Sequence, residues 1–323
     1  MNRPGNRLSS LVFGPVPSRR LCRSIGINNI PPKTCTYSCV YCQVGRTTEM
    51  TVTRRGFFRP EDILEAAAGK LEEASGAGAR VDYLTVVPDG EPTLDIDLDR
   101  LLKGLGELPP KSAVISNSSL IWDENVRSAL ARADWVSLKV DAATAETWKR
   151  IDRPHGKLDL EQILQGIADF SGEFAGTLVT ETMLVSGINT SSRELEELAG
   201  TLERISPDIA YISAPTRPPA EAWVGPPTGE ELARAYGILK EKVDRVEYLI
   251  DYEGEDFTST EDPVSDLLGI LAVHPMRESA VLRFLSGGGT DPVDKLEELL
   301  EKRLLEKVSH LDGTYLLRRF PGG

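Results

Sequence analysis

The chain is 323 residues long, 40% apolar and 27% charged; this excludes a disordered or collagen-like polymer and fits about two domains, or one large α/β barrel with an appendage. No apolar run reaches the roughly 18–20 residues of a membrane span, and the first twenty residues hold four arginines without an apolar core, so the sequence reads as leaderless and cytoplasmic. A net charge of −13 excludes non-specific nucleic-acid binding by the surface as a whole.

In chain order, the first feature is a basic segment. Residues 1–57 hold nine Lys/Arg against one acid, Glu49, a net of +8 that leaves −21 for the rest. This is a candidate anion-facing surface, with ion pairing to the acidic body as the plain alternative. The same segment holds all four cysteines, Cys22, Cys35, Cys39 and Cys42. A large chain without a leader is a poor candidate for a disulfide framework, and soft thiolates select zinc, copper(I) or iron–sulfur clusters. Cys35, Cys39 and Cys42 stand at C-x3-C-x2-C in the loop after the first expected strand. A cubane [4Fe–4S] cluster on three thiolates keeps one iron without a protein ligand, open to a substrate or cofactor. Two other readings stand beside it. Cys22 closes a four-thiolate structural zinc or an electron-transfer cluster, or the thiols are buried and inert. His155, His274 and His310 are all remote in sequence from a zinc site here.

Apolar, β-rich runs then alternate with amphipathic stretches. Strands are expected at Ser24–Ile30, Val81–Val87, Ala113–Ser116, Trp135–Val140, Thr177–Val185, Ile209–Ala214 and Arg245–Ile250. Helices are expected near 60–75, 96–106, 123–132, 144–152, 159–170, 191–204 and 228–242, several with acids in the first turn. The alternation argues for an α/β fold, a full or partial TIM-like (β/α) barrel of about six units, with chemistry in the loops at the C-terminal strand ends. Those loops carry Gly90-Glu91-Pro92-Thr93, Asn117-Ser118, Lys139-Val140-Asp141, Arg153-Pro154-His155 and Arg217-Pro218. Each has a plain reading as well: a turn, a helix cap, a surface ion pair or a structural histidine. Arg153 and Arg217 are the candidate carboxylate or phosphate clamps, and His155 the candidate proton donor or acceptor.

The barrel is expected over 1–252, an acidic linker over 253–262 and a winged-helix-like domain over 263–323. Three helices with apolar faces precede a hairpin signalled by Leu311-Asp312-Gly313. The third helix exposes Asp291, Asp294, Glu297, Glu298 and Glu301 against Lys295 and Lys302, and a phosphate backbone repels such a face. Only Arg318 and Arg319 make the wing basic. The domain is therefore expected to dock on the barrel or to recognise a protein or peptide, with nucleic-acid contact through the wing as the alternative.

The cysteine spacing, with Tyr41 before the last cysteine, resembles the radical S-adenosylmethionine (SAM) superfamily. Gly90-Glu91-Pro92-Thr93-Leu94 is similar to that family's Gly-Gly-Glu-Pro stretch, with Asp89 at its head. The runs Phe13–Arg20, Gly26–Asn29, Lys139–Ala142, Ile151–His155 and Arg217–Ala220 resemble the subgroup of Fe–S oxidoreductases related to the tRNA wyosine-base synthases. The resemblance implies a [4Fe–4S] cluster on Cys35, Cys39 and Cys42. SAM would bind at its open iron and release a 5′-deoxyadenosyl radical that takes a hydrogen atom from substrate. It also implies an electron donor such as ferredoxin or flavodoxin. Tyr41, Gly90, Glu91, Pro92, Thr93, Asn117, Ser118 and Asp141 become SAM contacts, with Glu91 at the methionyl amine. Lys139, Arg153, His155 and Arg217 become substrate residues. The substrate reading is an RNA base, with a peptide or protein as the alternative. Wyosine synthases carry a second cluster, and Cys22 alone cannot supply one. From a different class, the rival is a closed-site iron–sulfur electron-transfer or sensor protein.

Overall fold

The computed structural model describes residues 11–250, 263–286, 291–311 and 313–319. The segment expected as a linker, the Gly287–Gly289 turn and Asp312 lie outside the described residues.

The barrel strands are β1 (Val12–Ser18), β2 (Cys22–Ile27), β5 (Tyr83–Val86), β6 (Lys111–Ser116), β7 (Trp135–Lys139), β8 (Thr177–Met183), β9 (Ile209–Ser213) and β10 (Val246–Leu249). They form one sheet in the order β1-β2-β5-β6-β7-β8-β9-β10. Every pair from β2 onward is parallel, so each connection is a crossover. Two short strands, β3 (Thr34–Cys35) and β4 (Glu49–Met50), pair within the cysteine loop. The covering helices are α1 (Pro60–Gly76), α2 (Leu98–Leu105), α3 (Glu124–Leu130), α4 (Ala145–Ile151), α5 (Leu160–Glu173), α6 (Ser192–Ile205) and α7 (Gly229–Lys240). Side chains cap several of them: Asp123, Thr144, Asp159 and Ser191 each accept a backbone N–H of the first turn, and Thr228 with Glu231 completes a capping box.

All seven expected strands and seven helices are present within a few residues. The strand the sequence hides is β1, which pairs antiparallel with β2 at the sheet edge. Pro15 and Pro17 interrupt its pattern, and an edge strand tolerates prolines because one side donates nothing to a ladder. Among the described residues β1 and β10 share no ladder, so the barrel is partial. Its two edges are nevertheless close, because the Arg19 guanidinium donates to the Leu249 carbonyl.

After the barrel come α8 (Pro263–Val273), β11 (Met276–Arg277), α9 (Glu278–Leu285), α10 (Pro292–Glu301), β12 (Leu305–His310) and β13 (Gly313–Arg318). Their strands form a separate antiparallel sheet, β11-β13-β12. These elements pack on the barrel. Phe13 of β1 is buried among Leu267, Ile270, Leu271 and Met276. Lys70 of α1 meets Asp266 of α8 at 2.5 Å with both side chains nearly buried. Tyr315 donates to the Thr216 carbonyl at 3.2 Å. Arg318 is not a free wing cation: its guanidinium is half-buried and donates to the Leu268 carbonyl at 3.1 Å.

The link between the two parts runs through Gly26. It pairs with Phe13 across the β1–β2 ladder, and a Cβ there would lie 2.0 Å from the Phe13 ring. Gly26→Ala must therefore push Phe13 out of the core it shares with α8. The expected cost is about 1–3 kcal/mol, read as a lower urea midpoint, together with faster proteolysis after residue 263. An unchanged midpoint would mean that Phe13 is not the docking anchor.

Candidate functional site

A cavity of about 340 Å³ opens at the C-terminal strand ends. Cys35, Cys39 and Cys42 all line it, with Tyr37, Tyr41 and Gln43 of the same loop. Facing them are Asp89 and Gly90 after β5, Asn117 after β6, Lys139 and Glu181 near the ends of β7 and β8, Ser213 at the end of β9 and Arg217 after it. Arg19 and Arg20 reach in from the turn after β1, and Val273 and His274 from the end of α8. Cys22 is exposed and does not line the cavity with the other three cysteines.

Glu91, expected at a SAM amine, is fully buried and lines no part of the cavity. Its carboxylate accepts hydrogen bonds from the Thr93 N–H (3.0 Å), the Thr93 hydroxyl (2.6 Å), the Ser116 hydroxyl (2.8 Å) and the Asn117 N–H (2.7 Å). Burial raises its pKa, and these four donors oppose the shift. Pro92 and Thr93 form the short 3-10 turn behind it and are buried. Gly90 has φ +153, and a Cβ on it would lie 2.0 Å from the Thr34 carbonyl oxygen. The glycine serves the close approach of the β5 loop to the cysteine loop, and the Glu91 N–H donates to that same Thr34 carbonyl at 3.2 Å.

Ser118 also faces away: its hydroxyl donates to the Lys139 carbonyl at 2.9 Å and it lines no part of the cavity. Asn117 does face in. Its amide donates to the Thr36 hydroxyl at 2.8 Å and lies 3.5 Å from Cys35 Sγ. Asp141, expected at a ribose, is buried under the wall; it accepts the Met183 N–H at 2.6 Å and the Tyr41 hydroxyl, and lies 3.6 Å from Lys139 Nζ.

Lys139 sits between Asp141 and Glu181 (3.3 Å) and over the Tyr41 ring at 4.9 Å. Burial disfavours its ammonium, but the two carboxylates hold its pKa above the ordinary lysine value. It is a permanent cation. Glu181 is the hub that sequence reasoning missed, although an acid inside an otherwise apolar and hydroxyl-bearing strand is a visible signal. Burial would raise its pKa, yet Arg20, Lys139 and the Ser213 hydroxyl bring it down to about 2. Asp89 pairs with Lys33 at 3.4 Å; burial outweighs this cation and raises the carboxyl to about 6.

Arg217 lines the cavity mouth, bonded to Gln43 Oε1 and His274 Nε2, each at 2.9 Å. His274, remote in sequence, is thereby part of the site. Arg153 and His155 line no part of the cavity. Arg153 pairs with Glu221 on the outside of the cysteine loop, and His155 accepts the Lys157 N–H at 3.2 Å while its own N–H donates to the Thr36 carbonyl at 2.9 Å. Both support the loop from behind.

The thiols fit a cluster. Burial is the main force raising all three: Cys35 to about 12, with Glu91 adding to it, Cys39 well above the usual range, and Cys42 less. Iron must displace their protons, as it does for any thiolate ligand. Among the described residues no three His, Cys, Asp or Glu side chains are grouped as one metal ion would need. A cubane places each cysteine on a different iron, so the thiols need only share one cavity wall, and they do.

Two expected outcomes follow from these contacts. Glu91→Ala strands four buried donors and costs the cluster-free chain about 2–4 kcal/mol in urea; a carboxylate poised only for a ligand would leave that stability unchanged. Asp89 holds its proton more tightly folded than unfolded, where its pKa is about 4. Its contribution is therefore full below about pH 4 and is lost as the pH rises through about 6. Asp89→Asn should flatten this part of the pH–stability profile between pH 4 and 7; an identical profile would contradict the assignment.

A family model described as the radical SAM superfamily matches residues 29–202. A UPF0026 protein of Methanocaldococcus jannaschii is 41% identical over 279 residues, 86% of this chain and 86% of that protein. The solved structure of TYW1 with a lysine–pyruvate adduct bound is similar at a TM-score of 0.53 and 20% identity, over 68% of this chain and 74% of that one. SuiB of Streptococcus suis bound to S-adenosylmethionine is similar at 0.51 and 15%, over 69% and 49%. Both likenesses are of fold. Among the described residues no helix is long and apolar enough to cross a membrane. With the matched span covering more than half of the chain, from the cysteine loop through β8, the chain belongs to the radical SAM superfamily and is an enzyme of the kind that uses a [4Fe–4S] cluster and SAM.

Proposed function

We propose that Cys35, Cys39 and Cys42 hold the cluster and that the cavity above them holds SAM and the reacting part of the substrate. The observation that carries this reading is the convergence of the three thiols on a cavity whose other lining residues set charged side chains, Lys139, Glu181 and Arg217 among them, between apolar ones. Cys35, Cys39 and Cys42 would hold the cluster, which would supply the one electron for cleavage of SAM at C5′–S into methionine and a 5′-deoxyadenosyl radical able to take a hydrogen atom from substrate.

The chain's own residues bind, orient and shield. Asn117, beside Cys35, orients SAM. Lys139 keeps its charge through the working pH range and attracts an anionic group without giving up a proton. Arg217, held by Gln43 and His274, does the same at the mouth. The wall formed by Val273 and His274 excludes water, and 263–323 acts as a winged-helix-like domain that closes the site, joined to the barrel by 253–262. Five cations line the cavity (Arg19, Arg20, Lys33, Lys139 and Arg217) against the carboxylates Asp89 and Glu181. This balance favours a substrate with negative charge near the reacting carbon, and a nucleotide within RNA meets it.

The test is anaerobic reconstitution with iron and sulfide, reduction with dithionite, and mass spectrometry of 5′-deoxyadenosine. Wild type and Cys22→Ala should each load about four irons, and Cys35→Ala should yield no 5′-deoxyadenosine. Total tRNA should raise the yield above the substrate-free level, and Lys139→Ala should remove most of that rise. Stimulation by a peptide pool instead would shift the substrate to the peptide class. Loss of the cluster in Cys22→Ala would support a closed four-thiolate site and overturn the reading.

A further inference from the structure

The back of the cysteine loop is covered by one short segment. The Ser38 N–H donates to the Asp152 carbonyl at 3.0 Å, the Val40 N–H to the Ile151 carbonyl at 2.9 Å, and the His155 N–H to the Thr36 carbonyl at 2.9 Å. Asp152 itself lies 3.3 Å from Cys39 Sγ. The stretch that touches this sulfur through Asp152 also carries exposed residues on either side of it. The residues this stretch exposes are cationic. Lys149 and Arg150 are exposed in the last turn of α4, Arg153 is 41% exposed, and Lys157 is exposed two residues after His155. Arg46, 69% exposed, joins them: it and Arg153 both pair with Glu221, whose N–H donates to the Val40 carbonyl. Arg46 and Arg153 thus share one acid, Glu221, while Lys149, Arg150 and Lys157 are exposed on the same short stretch as Arg153, on a chain whose net charge is −13. Of the acids that flank the segment, Glu146 lies in the first turn of α4, and Asp159 is engaged as the cap of α5.

From this juxtaposition we infer that the face made by Arg46, Lys149, Arg150, Arg153 and Lys157 is the docking surface for an acidic one-electron carrier protein of the ferredoxin or flavodoxin class. The inference rests on the cluster assignment above. Electron tunnelling falls exponentially with distance, so a donor must approach where the wall over the cluster is thinnest. The cavity side is taken by SAM and substrate, which leaves the back of the loop. An acidic protein is repelled by the body of the chain and attracted here, and such complementarity raises encounter rates at low salt. One electron leaves the carrier, which is oxidised, and one enters the cluster, which is reduced; no bond or proton is exchanged.

The experiment uses the full chain carrying Lys149→Glu, Arg150→Glu and Lys157→Glu, with Arg193→Glu, Arg204→Glu and Lys242→Glu as a control of equal charge. Two readouts are taken with an acidic bacterial ferredoxin. One is its binding to the cluster-free chain by fluorescence anisotropy; the other is the rate at which the reduced ferredoxin reduces the reconstituted cluster. The first variant should lose at least about tenfold in both at low salt, with the difference shrinking at high salt. The control should lose much less, and dithionite should reduce all three proteins alike. Equal binding and equal ferredoxin-driven rates for the two variants would overturn the docking face while leaving the cluster assignment intact. A wild-type chain that assembles no reducible cluster would overturn both.

Discussion

Among the described residues no cation pairs with Glu91, yet its carboxylate is fully buried after β5 and satisfied by four donors from its own turn and from the end of β6. Such a group is tolerable only if every donor stays in place. It therefore fixes the β5 loop against the β6 loop. The backbone contact between Gly90 and Thr34 then fixes the start of the cysteine loop against both. Asn117, whose N–H is one of the four donors, turns its side-chain amide toward Thr36 and Cys35. The position of the first cysteine is thus set by a carboxylate that never touches the cavity.

A second network fixes the far wall. Arg20, Glu181, Lys139 and Asp141 follow one another across β7 and β8 as alternating charges, and Asp141 holds the Tyr41 hydroxyl. Buried ion pairs of this kind define geometry more than they add stability. Here they hold an ammonium beside the cysteines and draw the turn after β1 over the open side of the barrel. The C-terminal elements finish the enclosure through Phe13 in their core and through His274 and Val273 at the cavity.

Much of this was legible in the sequence. The β/α alternation is a strong periodic signal, and three thiols at C-x3-C-x2-C cannot be mistaken for ordinary packing. The loops were located correctly, but the direction of single side chains within them was not. Glu91, Ser118 and Asp141 sit in the expected loops and bond to backbone there: Glu91 and Asp141 accept N–H groups at the strand ends, and the Ser118 hydroxyl donates to the Lys139 carbonyl. His155 and Arg153 brace the loop from outside for the same reason: the segment that carries them is pinned by its backbone to residues 36–40. His274 and Arg20 were missed because their importance depends on contacts across more than 50 residues of sequence, which spacing cannot register. The strand β1 was hidden by prolines that only an edge position allows.

The central claim is that three cysteines, and no fourth ligand from this chain, hold a cluster with one iron open to SAM. Mössbauer spectroscopy of the chain reconstituted with iron-57 tests it most directly. On adding SAM, about a quarter of the iron signal should move to a new isomer shift while the remainder stays. A spectrum in which no iron responds to SAM, with the cluster intact, would contradict the account.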